Sequence, residues 1–201
     1  MSILMSTMIA SRSTISRTEQ RRHLEDVAAM LFAEKGYEDT TVDQIVAGAQ
    51  VSKPALYRHF ESKKDLYLTL LRRHREELAA AALAPIGPGV ALSAALPSIL
   101  ESWFAHVEQH PYIWRMLFRN TTGDAEIEAQ HTELHQLQVA ADIALLRLVD
   151  PPLPEEQIEP LGEVIRASLA GLALWWLKHP DIPRAVLVDT MLRVTRGILA
   201  G

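Results

Sequence analysis

Cysteine is absent from the 201 residues. That removes a disulfide scaffold, a Cys-based zinc module and a cysteine nucleophile together. Aromatic residues are sparse, at 6%, and no stretch alternates apolar and polar residues as a half-buried strand would. A G-x-S-x-G elbow and a glycine-rich phosphate loop are also missing. One uncharged run, residues 79–100, has the length of a bilayer span. Pro85, Pro88 and Pro97, together with Gly87 and Gly89, break it into two helix ends, a loop and an Ala-rich helix. The first acidic residue is Glu19, and the basic residues before it follow a short apolar stretch, the reverse of a secretory signal. Residues 1–17 are therefore expected to form a flexible basic arm on a soluble, cytoplasmic protein that makes no use of a membrane.

What is present is ordinary for a globular chain: 48% hydrophobic and 22% charged residues, enough for a sizeable core. The charge is unevenly divided. Residues 1–75 carry a net +3 and residues 76–201 a net −8. A mildly basic end on an acidic body suits an anionic partner that meets only that end.

Helical periodicity dominates. Leu24, Val27, Ala28, Leu31 and Phe32 make one apolar stripe, and Gly36 stands where a left-handed residue would close that helix. Thr41 and Gln44 read as a capping box opening a short helix, and Ser52 opens another. Ser62 and Asp65 start a fourth helix, expected over about 63–84. Further helices are expected at about 90–109, 111–119, 124–149, 156–179 and 183–199. The fold class is all-α: a three-helix N-terminal unit, a connector and a larger helical bundle.

Residues 41–60, TVDQIVAGAQVSKPALYRHF, read as a helix-turn-helix. Leu56 and Phe60, four apart, anchor the second helix on the core and leave Lys53, Pro54, Ala55, Tyr57, Arg58 and His59 on or near its outward side. Lys53 and Arg58 suit phosphates or guanine edges, Tyr57 and His59 suit phosphate oxygens, and Ala55 and Pro54 suit a thymine methyl. Free N–H groups at the helix starts at Thr41 and Ser62 could hold phosphates, helped by Thr40, Thr41 and Lys63, and Ser52 joins the DNA-binding candidates.

The segments LFAEKGYEDTTVDQIVAGA (31–49) and VSKPALYRHFESKKDL (51–66) resemble the DNA-binding domain of TetR-type transcriptional regulators. The resemblance covers residues 18–66. It implies an all-helical homodimer on a double-stranded, palindromic operator, with Thr41, Lys53, Tyr57, His59 and Lys63 touching DNA largely through phosphates. One position departs from the family. Gln50 occupies a turn where Gly is usual and where φ is expected to be positive, at a cost of about 1 kcal/mol.

For residues 67–201 the expectation is a ligand-binding and dimerisation body. Two stripes make the last two helices the candidates for a dimer interface, Leu169, Leu172 and Trp176, then Leu187, Met191, Val194 and Ile198; ordinary core packing is the alternative, and the resemblance implies a four-helix interface from these two helices. The resemblance implies a small-molecule pocket among Trp103, Phe104, Tyr112, Trp114, Met116 and Phe118, joined by Trp175, whose character suits a small, apolar or aromatic effector that releases the repressor; plain core packing is the alternative for most of these rings. The alternatives are a regulator without an effector, activating or constitutive, and a helical metal-dependent enzyme. The latter would use His106/His110 and His131/His135, each spaced to put two imidazoles on one helix face. Such pairs are usually exposed or singly hydrogen-bonded, so no enzyme, metal or cofactor is expected.

Overall fold

The computed structural model describes residues 16–87, 89–117 and 123–199, leaving aside the side chains of residues 117, 198 and 199. Its elements are α1 (Arg17–Lys35), α2 (Val42–Gly48), α3 (Lys53–Tyr57), α4 (Lys63–Leu83), α5 (Leu92–Gln109), α6 (Pro111–Leu117), α7 (Ala125–Leu146), α8 (Glu155–Trp176) and α9 (Arg184–Leu199). The described residues contain no strand. None of these helices is long and apolar enough to cross a membrane, and the uncharged run is divided between the end of α4 and the start of α5.

Local chemistry sets the helix starts. Ser16 and Thr41 form reciprocal capping boxes with Glu19 and Gln44, while the hydroxyls of Ser52 and Ser62 accept from the N–H groups of Ala55 and Asp65. Each cap satisfies donors that the first turn leaves without partners, typically worth about 1 kcal/mol. α1 ends at Gly36, whose φ is +93°. The cap at Ser16 starts α1 within the segment expected to be a flexible arm; residues 1–15, with Arg12, lie outside the described residues.

Two apolar cores follow. The first gathers Leu24, Ala28 and Phe32 of α1, Ile45 of α2, Leu56 and Phe60 around α3, and Leu66, Tyr67, Leu70 and Leu71 of α4. It extends into the body, because Ile113 and Met116 of α6 and Ile127 of α7 enter it. The second joins Leu100, Phe104 and Val107 of α5, Trp114 of α6, Ala173 and Trp176 of α8, and Leu187 and Met191 of α9. α4 belongs to both, since Leu78 packs against the second. Each fully buried Leu or Phe contributes roughly 1.5–3 kcal/mol of hydrophobic transfer.

α1 and α4 are also joined by charge. The Glu25 carboxylate is buried, lies 3.0 Å from Arg21 Nε, and is in close contact with Arg73 of α4.

Candidate nucleic-acid interface

α2 seats against α1 through Ile45, and Gly48 permits the approach: a Cβ there would stand 2.8 Å from Val27 Cγ1. The chain then turns through Ala49 and Gln50, and Gln50 takes φ +54°, the left-handed value expected at this departure from glycine. Ser52 caps α3, in which Pro54 sits in the first turn where its missing N–H costs nothing.

Leu56 and Phe60 bury fully and lock α3 to the first core. Lys53, Pro54, Tyr57 and Arg58 are exposed, and Tyr57 keeps 49% of its surface open although it is a large aromatic. This face offers a cation at each end, a phenol and a proline ring, a set suited to phosphates and groove edges.

Three neighbours differ from the outward face drawn from sequence. Ala55 is buried, because it lies beside Leu56 on the side of α3 that meets the core. Thr40 is completely buried, and its hydroxyl donates to Leu31 O at 3.2 Å and Gly36 O at 2.7 Å, tying the α1–α2 loop to the end of α1. Lys63 is committed to that same loop. Its ammonium donates to Tyr37 O at 2.7 Å and Thr40 O at 2.8 Å and lies 4.1 Å from the Tyr37 ring centroid. Burial lowers the Lys63 pKa, against the pull of Glu38 and Asp39. Thr40 and Ala55 therefore shape the surface from behind, while the half-buried Lys63 ties the loop to α4.

Lys53 is weakly held. Lys53 Nζ pairs with Asp43 Oδ1 at 2.8 Å, and the hydrogen bond to Asp43 raises its pKa. Both partners are exposed, so water and salt screen this pair and a phosphate can exchange with Asp43. His59 is half-buried, with Nε2 3.1 Å from Gln20 Oε1. Burial first, then Arg17, Arg21 and Arg58, hold its pKa below the ordinary imidazole value. Arg21, whose guanidinium carbon is 5.0 Å from the Phe60 ring centroid, was not among the sequence candidates. Its i+4 spacing from Arg17 was the available signal, but only the packing of α1 beside residue 60 brings the two guanidiniums to the end of α3.

The residues assigned to a pocket are separated by the fold. Trp103, Phe104 and Trp114 pack on one another, with ring centroids 4.8–4.9 Å apart along the Trp103–Phe104 and Trp103–Trp114 contacts. Met116 belongs to the first core, Tyr112 and Trp175 are exposed, and Phe118 lies outside the described residues. An open cleft of about 520 Å³ occurs elsewhere, between α7 and α8, lined by His135, Val139, Pro160, Arg166 and four glutamates. The aromatic group is thus core, since rings that bury one another leave no space among them.

The assigned interface shifts in the same way. Leu187, Met191 and Trp176 are buried within one chain, with Leu169 and Leu172 packed half-buried beside them; Val194 alone of the assigned positions is open, and the Ile198 side chain lies outside the described residues. Adjacent positions are exposed instead: Val164, Gly171 and Trp175 on α8, and Val186 with Val194 on α9. The histidine pairs separate too. His131 Nε2 lies 3.1 Å from Tyr67 Oη while His135 faces the cleft, whereas His106 and His110 meet a third histidine, His74.

Residues 24–70 match the family described as bacterial regulatory proteins, tetR family, and residues 91–199 match the tetracyclin repressor-like C-terminal domain. The HTH-type transcriptional activator FasR of Mycolicibacterium smegmatis is 33% identical over 106 residues, covering 53% of this chain and 48% of FasR. The biofilm operon negative transcriptional regulator IcaR of Staphylococcus aureus is 50% identical over 42 residues, 21% of this chain and 23% of IcaR. The chain thus spans about half, or less, of the length of these curated relatives. A solved TetR-like transcriptional regulator from Rhodococcus sp. RHA1 shares the fold, with TM-score 0.75 at 20% identity over 92% of this chain and 99% of that one. The match over residues 91–199 alone runs through more than half of the sequence, so the chain belongs to the TetR family of DNA-binding transcriptional regulators.

Proposed function

We propose that this regulator is a cytoplasmic homodimeric repressor that holds a palindromic operator and leaves it when a small molecule binds the body. The division of labour is a basic arm at 1–17, a DNA-binding unit at 18–66 and a body at 67–201. The observation that carries the reading is the open face of α3, where Lys53, Tyr57 and Arg58 project from a helix whose opposite side is fully buried. No catalytic group is needed for this action.

This reading calls for two copies of the chain. One short helix makes few phosphate contacts, and a palindrome is read by two recognition helices about 34–36 Å apart. The exposed stripe of Val164, Gly171 and Trp175 with Val186 and Val194 is the surface we assign to that second copy. The glycine allows close helix approach, and Trp175 supplies a large apolar anchor. An effector need only favour one spacing of the two α3 helices over another. Because the aromatic rings are packed as core, an apolar effector would have to open that core. FasR, named as an activator, supports the second reading that the chain activates transcription; transcription in vitro with and without the protein separates the two.

The test is binding to the DNA upstream of its own gene, measured by anisotropy across a salt series. Lys53→Ala and Arg58→Ala should weaken the complex, and each lost phosphate contact should reduce the salt slope by about 1. Equal affinity for operator and scrambled duplex would overturn the reading.

A further inference from the structure

A cluster in the body is unused by the DNA interface. His106 and His110 lie one turn apart at the end of α5, and α4 packs against α5 so that His74 and Glu77 come alongside them. Ring centroids are 5.4 Å apart for His74–His106, 4.5 Å for His74–His110 and 4.6 Å for His106–His110. One ligand-capable atom from each of His74, Glu77, His106 and His110 lies within 4.8 Å of all the others. We propose that these four residues form a binding site for a divalent transition-metal ion of the zinc class.

Three arguments support the assignment. Three imidazoles and a carboxylate are a borderline donor set of the kind zinc takes, where thiolates are unavailable. The donors also need little movement: bonds of about 2.0–2.1 Å in a tetrahedron put ligand atoms about 3.3 Å apart, a closure that imidazole rotation can supply. Burial, finally, disfavours the charged form of all three imidazoles, and the uncharged ring is the form that ligates a metal. His74 Nδ1 is buried 3.2 Å from Glu77 Oε2 without a well-formed hydrogen bond. Glu77 is exposed and gives an ion its way in.

The charge around the site decides what occupation would do. Arg73 opposes a cation, with one guanidinium nitrogen 3.1 Å from His74 Nε2. Its charge is offset by the buried Glu25 of α1 and by Glu77, 3.4 Å from Arg73 Nε, and Asp26 adds negative potential at His110. An ion that takes Glu77 removes one carboxylate from Arg73 and leaves it to Glu25 alone. Occupation is therefore coupled to the joint between α4 and α1, the helix against which the helix-turn-helix packs.

The site stands whether or not the DNA reading holds, and its test uses no DNA. The full chain, freed of metal by chelation, is titrated with cobalt(II) chloride, and zinc chloride is then added in competition. One cobalt per chain should give the visible ligand-field bands of a tetrahedral site, and one zinc should abolish them. His106→Gln/His110→Gln should remove the bands and weaken zinc binding about tenfold or more, while the exposed His23→Gln/His135→Gln control keeps both. If the double variant melts early, Glu77→Gln, at an exposed position, provides the same reading through weaker zinc binding. The proposal is overturned if the wild-type chain shows no saturable cobalt spectrum and no zinc heat at micromolar concentration. It is equally overturned if zinc affinity is unchanged in both Glu77→Gln and His110→Gln.

Discussion

The two cores finish their surfaces differently. Around the first, the apolar stripes of α1 to α4 are used up inside, and what remains outside is Lys53, Tyr57, Arg58 and the arginines of α1. Around the second, the stripes of α8 and α9 also fill the core, yet Val164 and Val186 remain 50% exposed and Trp175 44%. One end therefore presents cations and a phenol, the other an apolar stripe. An exposed apolar stripe on a body with net negative charge is the surface a second copy would cover.

The largest effect should come from cutting the tie between the two regions. Glu25→Ala leaves Arg73 partly buried and without its main counter-charge, and loss of one member of such a pair costs about 3–5 kcal/mol. Urea denaturation should show a midpoint well below wild type; a change under about 1 kcal/mol would mean that the pair is solvated and the regions are joined by apolar packing alone.

Next, the inside and outside of α9 can be set against each other. Leu187→Ala removes a side chain only 1% exposed and should destabilise each chain by about 2–5 kcal/mol. Val186→Asp, one residue away, should leave the helical spectrum intact and halve the mass seen by light scattering. Should Val186→Asp remain dimeric while the Leu187 variant folds normally, the assignment of inner and outer faces is reversed.

The smallest change lies in the DNA-binding unit. Gln50→Gly relieves a left-handed backbone that a side-chain-bearing residue adopts at a cost of about 1–2 kcal/mol, partly offset by the entropy glycine loses on folding. A gain of up to about 1 kcal/mol, with operator affinity unchanged, is expected from thermal melting.

The helix-turn-helix was legible because its signals are local. Caps at Thr41, Ser52 and Ser62 act within three residues, and the strained turn at Gln50 is marked by a missing glycine. Side-chain direction was less legible. On a helix of five residues a step of one position separates the buried Ala55 from the exposed Pro54, and spacing alone does not say where the core lies. The stripes of α8 and α9 left core and interface both open for a related reason: an apolar stripe satisfies its own chain's core first, and Leu187 and Met191 do so against α5 and α8. The structural bonds of Lys63 were not legible either, because nothing in its neighbourhood names the carbonyls of Tyr37 and Thr40, more than twenty residues upstream, to which it donates.

By itself the sequence determined the helical class, the helix starts and the character of the DNA-binding unit, because periodicity and capping depend on residues a turn or two apart. Only the tertiary structure decided which aromatic rings are core, which face of α8 and α9 stays open, and that His74 joins a pair more than thirty residues downstream. Those outcomes depend on how helices distant in sequence pack against one another, and a one-position rotation of a helix exchanges what is buried for what is offered to a partner.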